Sequence, residues 1–366
     1  MTTALLRGAL RSPFHRLAMS ALALTLAGAA CDVPPEEEAD DPDEFVVAPL
    51  VAEAAAPAMT LQNRDSVPFP TRLVMSVITN DSSQLTHKQA VLRVSSTGTD
   101  PLVISKLDVT AGFALAPKPA LPLTIAAGSF ADLTLALTAT SGGKTLTGTL
   151  TITSNVPGAA PTPVELAGTL TKAEGGNEPS FVQVIGTFGY KTTIVASGQQ
   201  LNQHGKVAPV GDEVISPFWK VRDASKPVDV KQLAAFHTRG GAAPISWYAK
   251  GSTTLHTIVT SGGDSAQTLL PRKKGSTTAA AFATFAPTGV FGLKVSGEFS
   301  DPTRNNIAKD MQNGCTGPCG HHVRFWPAKD RSGKVITGAY LVGMDSSSVN
   351  YDYQDDVYLI SNITPE

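Results

Sequence analysis

Clusters of positive charge are scarce in this chain, and their scarcity removes nucleic acid from the candidate partners. Beyond Arg272-Lys273-Lys274, which reads as a solvated turn, there is no run of Lys or Arg, so the stripe that neutralises a phosphate backbone is missing. There is no Gly-x-Ser-x-Gly elbow, and none of the seven histidines stands in a nucleophile context, which leaves a hydrolase only as a third-ranked reading. Glu298 and Asp301, close to a strand end, are the carboxylates to watch for it. The apolar run Leu17 to Ala30 falls short of the roughly 20 residues that span a bilayer as a helix. Only three cysteines occur, and none lies between Cys31 and Cys315, so the first folded region has no disulfide between its sheets.

What is present begins with an address. Arg7, Arg11 and Arg16 precede the apolar run, which ends in small residues directly before Cys31. The stretch DVPPEEEADDPDE follows, in which 8 of 13 residues are acidic and three are proline. Such a composition cannot bury apolar surface and stays solvated. Residues 1–30 therefore read as a signal peptide and 31–65 as an acidic, then Ala/Pro-rich, disordered tether. The small residue before Cys31, its single cysteine and the spacer behind it resemble a bacterial lipoprotein signal. That resemblance implies lipidation of Cys31 and an extracytoplasmic protein anchored to a bacterial membrane, in the periplasm or at the cell surface. An ordinary cleaved signal and an uncleaved anchor are the alternatives, and either still exports the chain. Removing the eight tether acids and three leader arginines leaves 23 acids against 26 bases, about +3 for the folded part.

From residue 66 the pattern changes to short runs of period two, the mark of half-buried strands. Arg72 to Ile78, Ala90 to Ser95, Leu102 to Val109, Leu121 to Ile125, Leu133 to Thr138, Thr147 to Thr153 and Val164 to Leu170 are seven such runs, separated by Gly- and Pro-containing turns. Seven strands in about 100 residues predict an immunoglobulin-like sandwich over 66–172. The segments VLRVSSTGTDPLVISKLDV, FALAPKPALPLTIAAGS, LTGTLTITSN and PVELAGTL resemble the immunoglobulin-like domain of abnormal-spindle and hydin proteins, carried by bacterial "choice-of-anchor D" surface proteins. This resemblance implies a binding or spacing role.

Residues 173–179 (AEGGNEP) read as a polar linker, and 180–366 as a second all-β unit. Its strand candidates are Phe181 to Phe188, Val214 to Val221, Val230 to Phe236, Thr254 to Thr260, Ala280 to Phe285, Gly289 to Phe299, His322 to Trp326, Val335 to Met344 and Asp356 to Ser361. Helical character is confined to Thr303 to Gln312, so a second β-sandwich of jelly-roll type is expected. The last 45 residues, with Arg324, Phe325, Pro327, Lys329, Asp330, Gly333, Tyr340, Asp352, Tyr353, Asp355 and Asn362, resemble the ending of a poorly characterised β-domain of bacterial surface proteins, to which no enzyme activity is attached.

Three groups of residues could carry chemistry. Asp345, Asn350, Asp352, Asp355 and Asp356 crowd hard oxygen ligands onto one strand-entry loop, which suits a structural Ca²⁺; the alternative is a solvated acidic turn. The EF-hand glycine and distal Glu are missing, and period two places Asp352 and Asp356 on one face with Asp355 on the other. Cys315 and Cys319 are the two thiols left once Cys31 is lipidated, and in an exported protein such a pair reads as a disulfide worth about 1 to 2 kcal/mol for so short a loop. With His321 and His322 nearby, a zinc or redox site is the sharper alternative. Trp219, Trp247 and Trp326 offer either a sugar-stacking platform or core packing, and one of the neighbours Phe325 and Trp326 should point out of its sheet. The expectation is a noncatalytic, membrane-anchored display or scaffolding protein that binds an envelope protein, with glycan binding by the C-terminal unit as the runner-up.

Overall fold

The computed structural model describes residues 56–65, 67–80, 85–141, 144–173, 175–195, 201, 204–346 and 350–366. The leader, Cys31 and the tether up to residue 55 lie outside the described residues. Nine strands precede the linker: β1 (Met59–Asn63), β2 (Arg72–Ile78), β3 (Gln89–Ser96), β4 (Leu102–Val109), β5 (Phe113–Leu115), β6 (Leu123–Ile125), β7 (Phe130–Leu137), β8 (Thr145–Ser154) and β9 (Thr162–Thr171). They form two sheets, ordered β1-β3-β7-β5 and β2-β9-β8-β4-β6. Between the sheets lies a core of alternating residues, among them Leu73, Met75, Leu92, Val94, Leu135, Leu150 and Leu166. This is the immunoglobulin-like sandwich. Residues 59–63, assigned above to the tether, instead form edge strand β1, paired antiparallel with β3. Met59 and Leu61 pack against the core, and that burial lifts the segment out of the linker.

A helix follows where a strand was expected. Phe181–Phe188 is α1, with Ser180 as N-cap, a reciprocal bond between Ser180 and Gln183, and Gly189 closing the helix at φ 96°. A side chain at Gly189 would also collide with Arg331 and Arg72. Phe181, Val184, Ile185 and Phe188 share one face. Eight residues do not hold a helix on their own; burying these four side chains contributes roughly 6 to 12 kcal/mol as an upper bound.

The remaining strands are β10 (Trp219–Val221), β11 (Val228–Ala235), β12 (Ala243–Ala249), β13 (His256–Ser261), β14 (Thr268–Leu269), β15 (Phe282–Phe285), β16 (Phe291–Val295), β17 (Glu298–Phe299), β18 (Val323–Lys329), β19 (Val335–Met344), β20 (Asp356–Ser361) and β21 (Ile363–Pro365). A 3₁₀ turn at Pro302–Arg304 and helix α2 (Ala308–Gln312) fall in the stretch marked as helical. One sheet runs β13-β12-β16-β10-β21 with β17 beside β16; the other runs β14-β11-β20-β19-β18 with β15 beside β11.

The second of these sheets is covered on both faces. Along β18 to β20, Val323, Phe325, Val342, Met344, Tyr358 and Ile360 face the opposing sheet. Trp326, Ala328, Ala339, Leu341, Val357 and Leu359 instead enter another core, with α1 and with Val74 of β2. Strand β2 thus sends Leu73 and Met75 into its own sandwich and Val74 into the second unit. Around Val74 the seam is polar and buried. Thr268 Oγ1 accepts the His87 amide at 3.0 Å, meets Ser76 Oγ at 2.6 Å and donates to the Leu269 carbonyl at 2.8 Å. Ser76 Oγ in turn accepts the Leu269 amide at 3.0 Å. Arg72 Nε donates to the Thr187 carbonyl at 2.7 Å and Nη2 to that of Gly186 at 3.2 Å, satisfying carbonyls at the end of α1.

Candidate functional site

β19 ends at Met344 and β20 begins at Asp356, so the acidic loop is the connection of a hairpin inside the doubly covered sheet. Within it Tyr351 and Tyr353 both take left-handed backbone conformations, at φ 56° and 59°. This geometry breaks the period-two alternation expected from Asp352 onward. Tyr353 is fully buried, and its hydroxyl donates to the His321 carbonyl at 2.9 Å. The loop therefore turns inward around an anchored ring and carries its carboxylates with it.

Asp345, Asp352 and Asp355 converge: one oxygen from each lies within 4.8 Å of the others. Asp345, only 1% exposed, accepts the Tyr353 amide on Oδ2 at 3.0 Å. Its Oδ1 is buried without a hydrogen-bond partner among the described residues. The Asp345 and Asp352 carboxyls lie within hydrogen-bonding reach of each other, and Asp355 Oδ2 accepts the Ser346 amide at 3.1 Å. Gln354, also buried, donates from Nε2 to Glu178 Oε2 at 3.1 Å and leaves its own Oε1 without a donor. Burial pushes the Asp345 carboxyl up to about 8, reinforced by the charges of Asp355 and Asp352. Asp352 and Asp355 are raised, foremost by burial. Glu178 is raised by burial first, then by the charges of Asp352 and Asp355. The cluster thus has a surplus of acceptors over donors, a condition relieved by shared protons or by a cation. Among the described residues, Asp345, Asp352 and Asp355 form the group placed to hold a metal.

Two of the five anticipated ligands fall outside this group. Asn350 is exposed. Asp356 has both oxygens engaged, Oδ1 by Gln232 Nε2 at 2.6 Å and Oδ2 by Ser296 Oγ at 2.9 Å, with burial raising it to about 7. Asp355 and Asp356 also line a cleft of about 280 Å³ with His237, Ser296 and Ser346, so the cluster lies beside an opening.

Cys315 and Cys319 form a disulfide, and the histidines that follow them have other partners. His321 Nε2 meets Glu213 Oε1 at 2.7 Å, and His322 Nε2 meets Asp310 Oδ2 at 3.0 Å. Arg324 Nη1 donates to Glu213 Oε2 at 2.8 Å, and Tyr351 Oη donates to Asp310 Oδ1 at 2.8 Å. Glu213 and Asp310, the two carboxylates facing the histidines and Arg324, are both buried. Burial lowers His321, with Glu213 acting in the opposite sense. The disulfide leaves neither sulfur as a thiolate, and the Nε2 of each imidazole is paired with a carboxylate. Glu213 and Asp310 were invisible to motif reading, since each reaches its partner across about a hundred or a dozen residues of chain with no local signature.

The tryptophans divide differently from the sugar-platform expectation. Trp219 and Trp326 are both 0% exposed, so neither offers a face to a ligand. Trp326 does point away from Phe325, but α1 covers that side of the sheet, and its ring lies 5.0 Å from that of Phe181. Trp247 is half-buried, stacked on His256 at 4.3 Å. Of the carboxylates noted for hydrolysis, Asp301 caps the 3₁₀ turn through the Thr303 amide, and Glu298 sits in β17.

No family model and no curated protein matches this chain. Among solved structures it is similar to a protein of unknown function from Porphyromonas gingivalis W83, at 17% identity over 34% of this chain with a TM-score of 0.25. The chain spans 51% of that protein's length. It is also similar to a chain of the Salmonella enterica SafA pilin–SafB chaperone complex, at 12% identity over 79% of this chain and 96% of the other, TM-score 0.25. A third is the human CEP192 PapD-like domain 7, at 10% identity over 37% of this chain and 100% of that one, TM-score 0.25. Overlaps this weak assign no role, and the function is argued from the chain's own residues.

Proposed function

We propose that this chain is a noncatalytic, envelope-anchored lipoprotein that presents a rigid pair of β-sandwiches for protein binding or scaffolding. The observation that carries the reading is the core shared by α1, the outer face of the β18–β20 sheet and Val74 of β2. A spacer built as beads on a string would leave that sheet face polar and the junction hydrated. Here a buried apolar core is flanked by polar groups that hydrogen-bond to one another across the junction, which suits holding a binding surface at a fixed angle.

The reading is tested on the protein made in a lipoprotein-processing host. Mass spectrometry of the mature amino terminus should find a fatty-acylated Cys31, and Cys31→Ala should shift the protein from the membrane to the soluble fraction. An intact leader on soluble wild-type protein would sink the anchored role. In-cell crosslinking of the wild-type chain should return the same envelope protein repeatedly. Selective retention of the mature chain on a glycan array, without such a protein, would instead favour the sugar-binding alternative, for which Trp247 is the remaining aromatic.

A further inference from the structure

We propose that Asp345, Asp352 and Asp355 bind a calcium ion that fixes the β19–β20 connection. Three observations carry this. The first is convergence: one oxygen from each carboxylate lies within 4.8 Å of the others, a spread matched by ligands around an ion at Ca–O distances of about 2.3 to 2.6 Å. The second is the Asp345 Oδ1 acceptor, which belongs to a side chain 1% exposed and has no donor among the described residues. A carboxylate oxygen in that position requires a proton or a cation to balance it. The third is the neighbouring Gln354, whose buried Oε1 has no donor either while its amide nitrogen is committed to Glu178.

The chemistry of the donors selects the ion. All three ligands are carboxylates, and among the described residues no His or Cys joins the group, which disfavours zinc. Three hard oxygens on a wound loop, flanked by a cleft from which water completes the coordination, match the six to eight oxygens and flexible geometry of Ca²⁺. Because Gln354 ties the loop to Glu178, and Ser180 two residues later caps α1, the ion also steadies the segment that enters the seam helix. This inference concerns the purified chain and does not depend on its anchor or partner.

The test is a melting series on the full mature chain, treated with EDTA and then given about 5 mM CaCl₂, with isothermal titration alongside. The expected results are a rise in Tm of several degrees and one site per chain with Kd near 10⁻⁴ to 10⁻³ M, the range of extracellular calcium modules. Asp352→Asn and Asp355→Asn should each abolish the rise, while Asn350→Ala should keep it in full. Asp352→Asn is expected to fold, since its amide can donate to Asp345. Should a variant fail to fold, the titration on wild type still decides. An unchanged wild-type Tm with no binding heat overturns the proposal in favour of carboxyls sharing a proton, and so does an equal shift with Mg²⁺.

Discussion

If the two sandwiches are one body, a single buried hydroxyl at their seam should matter to the stability of both. Thr268 is fully buried and uses all its hydrogen-bonding capacity: it accepts from the His87 amide and Ser76 Oγ and donates to the Leu269 carbonyl. Thr268→Val keeps the shape and removes the oxygen. The His87 amide, in a residue 4% exposed, then loses its acceptor, and the Ser76 hydroxyl loses the acceptor of its proton. Each buried orphan costs about 1 to 3 kcal/mol, so the two together should cost about 2 to 6 kcal/mol. The described body has roughly 300 residues, and at about 2 cal/mol/K of unfolding entropy per residue this corresponds to a fall in Tm of about 3 to 10 °C. Differential scanning calorimetry reads both the shift and its form. Wild type should melt in one transition, because α1 and Val74 join the sandwiches through a common core. The variant should shift that transition, or split it in two as the seam weakens. Two well-separated transitions in wild type, or a variant melting within 1 °C of it, would refute the shared core as the source of rigidity.

The remaining predictions concern the buried network behind the disulfide. Reducing Cys315–Cys319, or replacing both by serine, should cost about 1 to 2 kcal/mol, because the closed loop is short; chemical denaturation with and without reductant measures it. His321 faces Glu213, Arg324 and His322, and burial lowers it from its ordinary value. With the folded pKa depressed, the unfolded chain binds a proton that the folded chain refuses. The contribution is therefore full above about pH 6.5 and is lost as pH falls below it, at up to about 1.4 kcal/mol per pH unit. His321→Gln should flatten this loss between pH 7.5 and 5, and equal acid slopes for wild type and variant would show that His321 is not its source. Comparing the two slopes cancels the carboxylates common to both proteins.

How much of this was readable in the chain depends on whether a pattern was local. The bounds of β2, β4, β19 and β20 coincide with those read from alternation, because their faces differ in polarity or are bounded by turn residues. In the sequence MTLQN reads as tether because it follows an Ala/Pro-rich stretch, and only its pairing with β3 makes β1 a strand. β12, APISWYA, is hard to read from the sequence because Ala and Pro stand at its head, ahead of the alternation that turns Ile245 and Trp247 to the core. The Phe, Val and Ile of α1 favour a strand by residue type. The competing signal was nonetheless present: Ser180-x-x-Gln183 is a capping box, Gly189 stands at the helix end, and the buried positions 181, 184, 185 and 188 have helical spacing.

The candidate site shows the same division between composition and geometry. Acidic residues crowding the 345–356 stretch marked the place, and three of the five did converge. Which three depended on Tyr351 and Tyr353 adopting left-handed backbone, and on Gln232 and Ser296, distant in sequence, engaging Asp356. The tryptophans failed for a related reason. Alternation correctly separated Phe325 from Trp326, but whether the second face meets solvent is decided by another element. Once α1 covers that face, Trp326 becomes core, packed in the same cluster as Phe181 of α1 and Val74 of β2 that joins the two sandwiches.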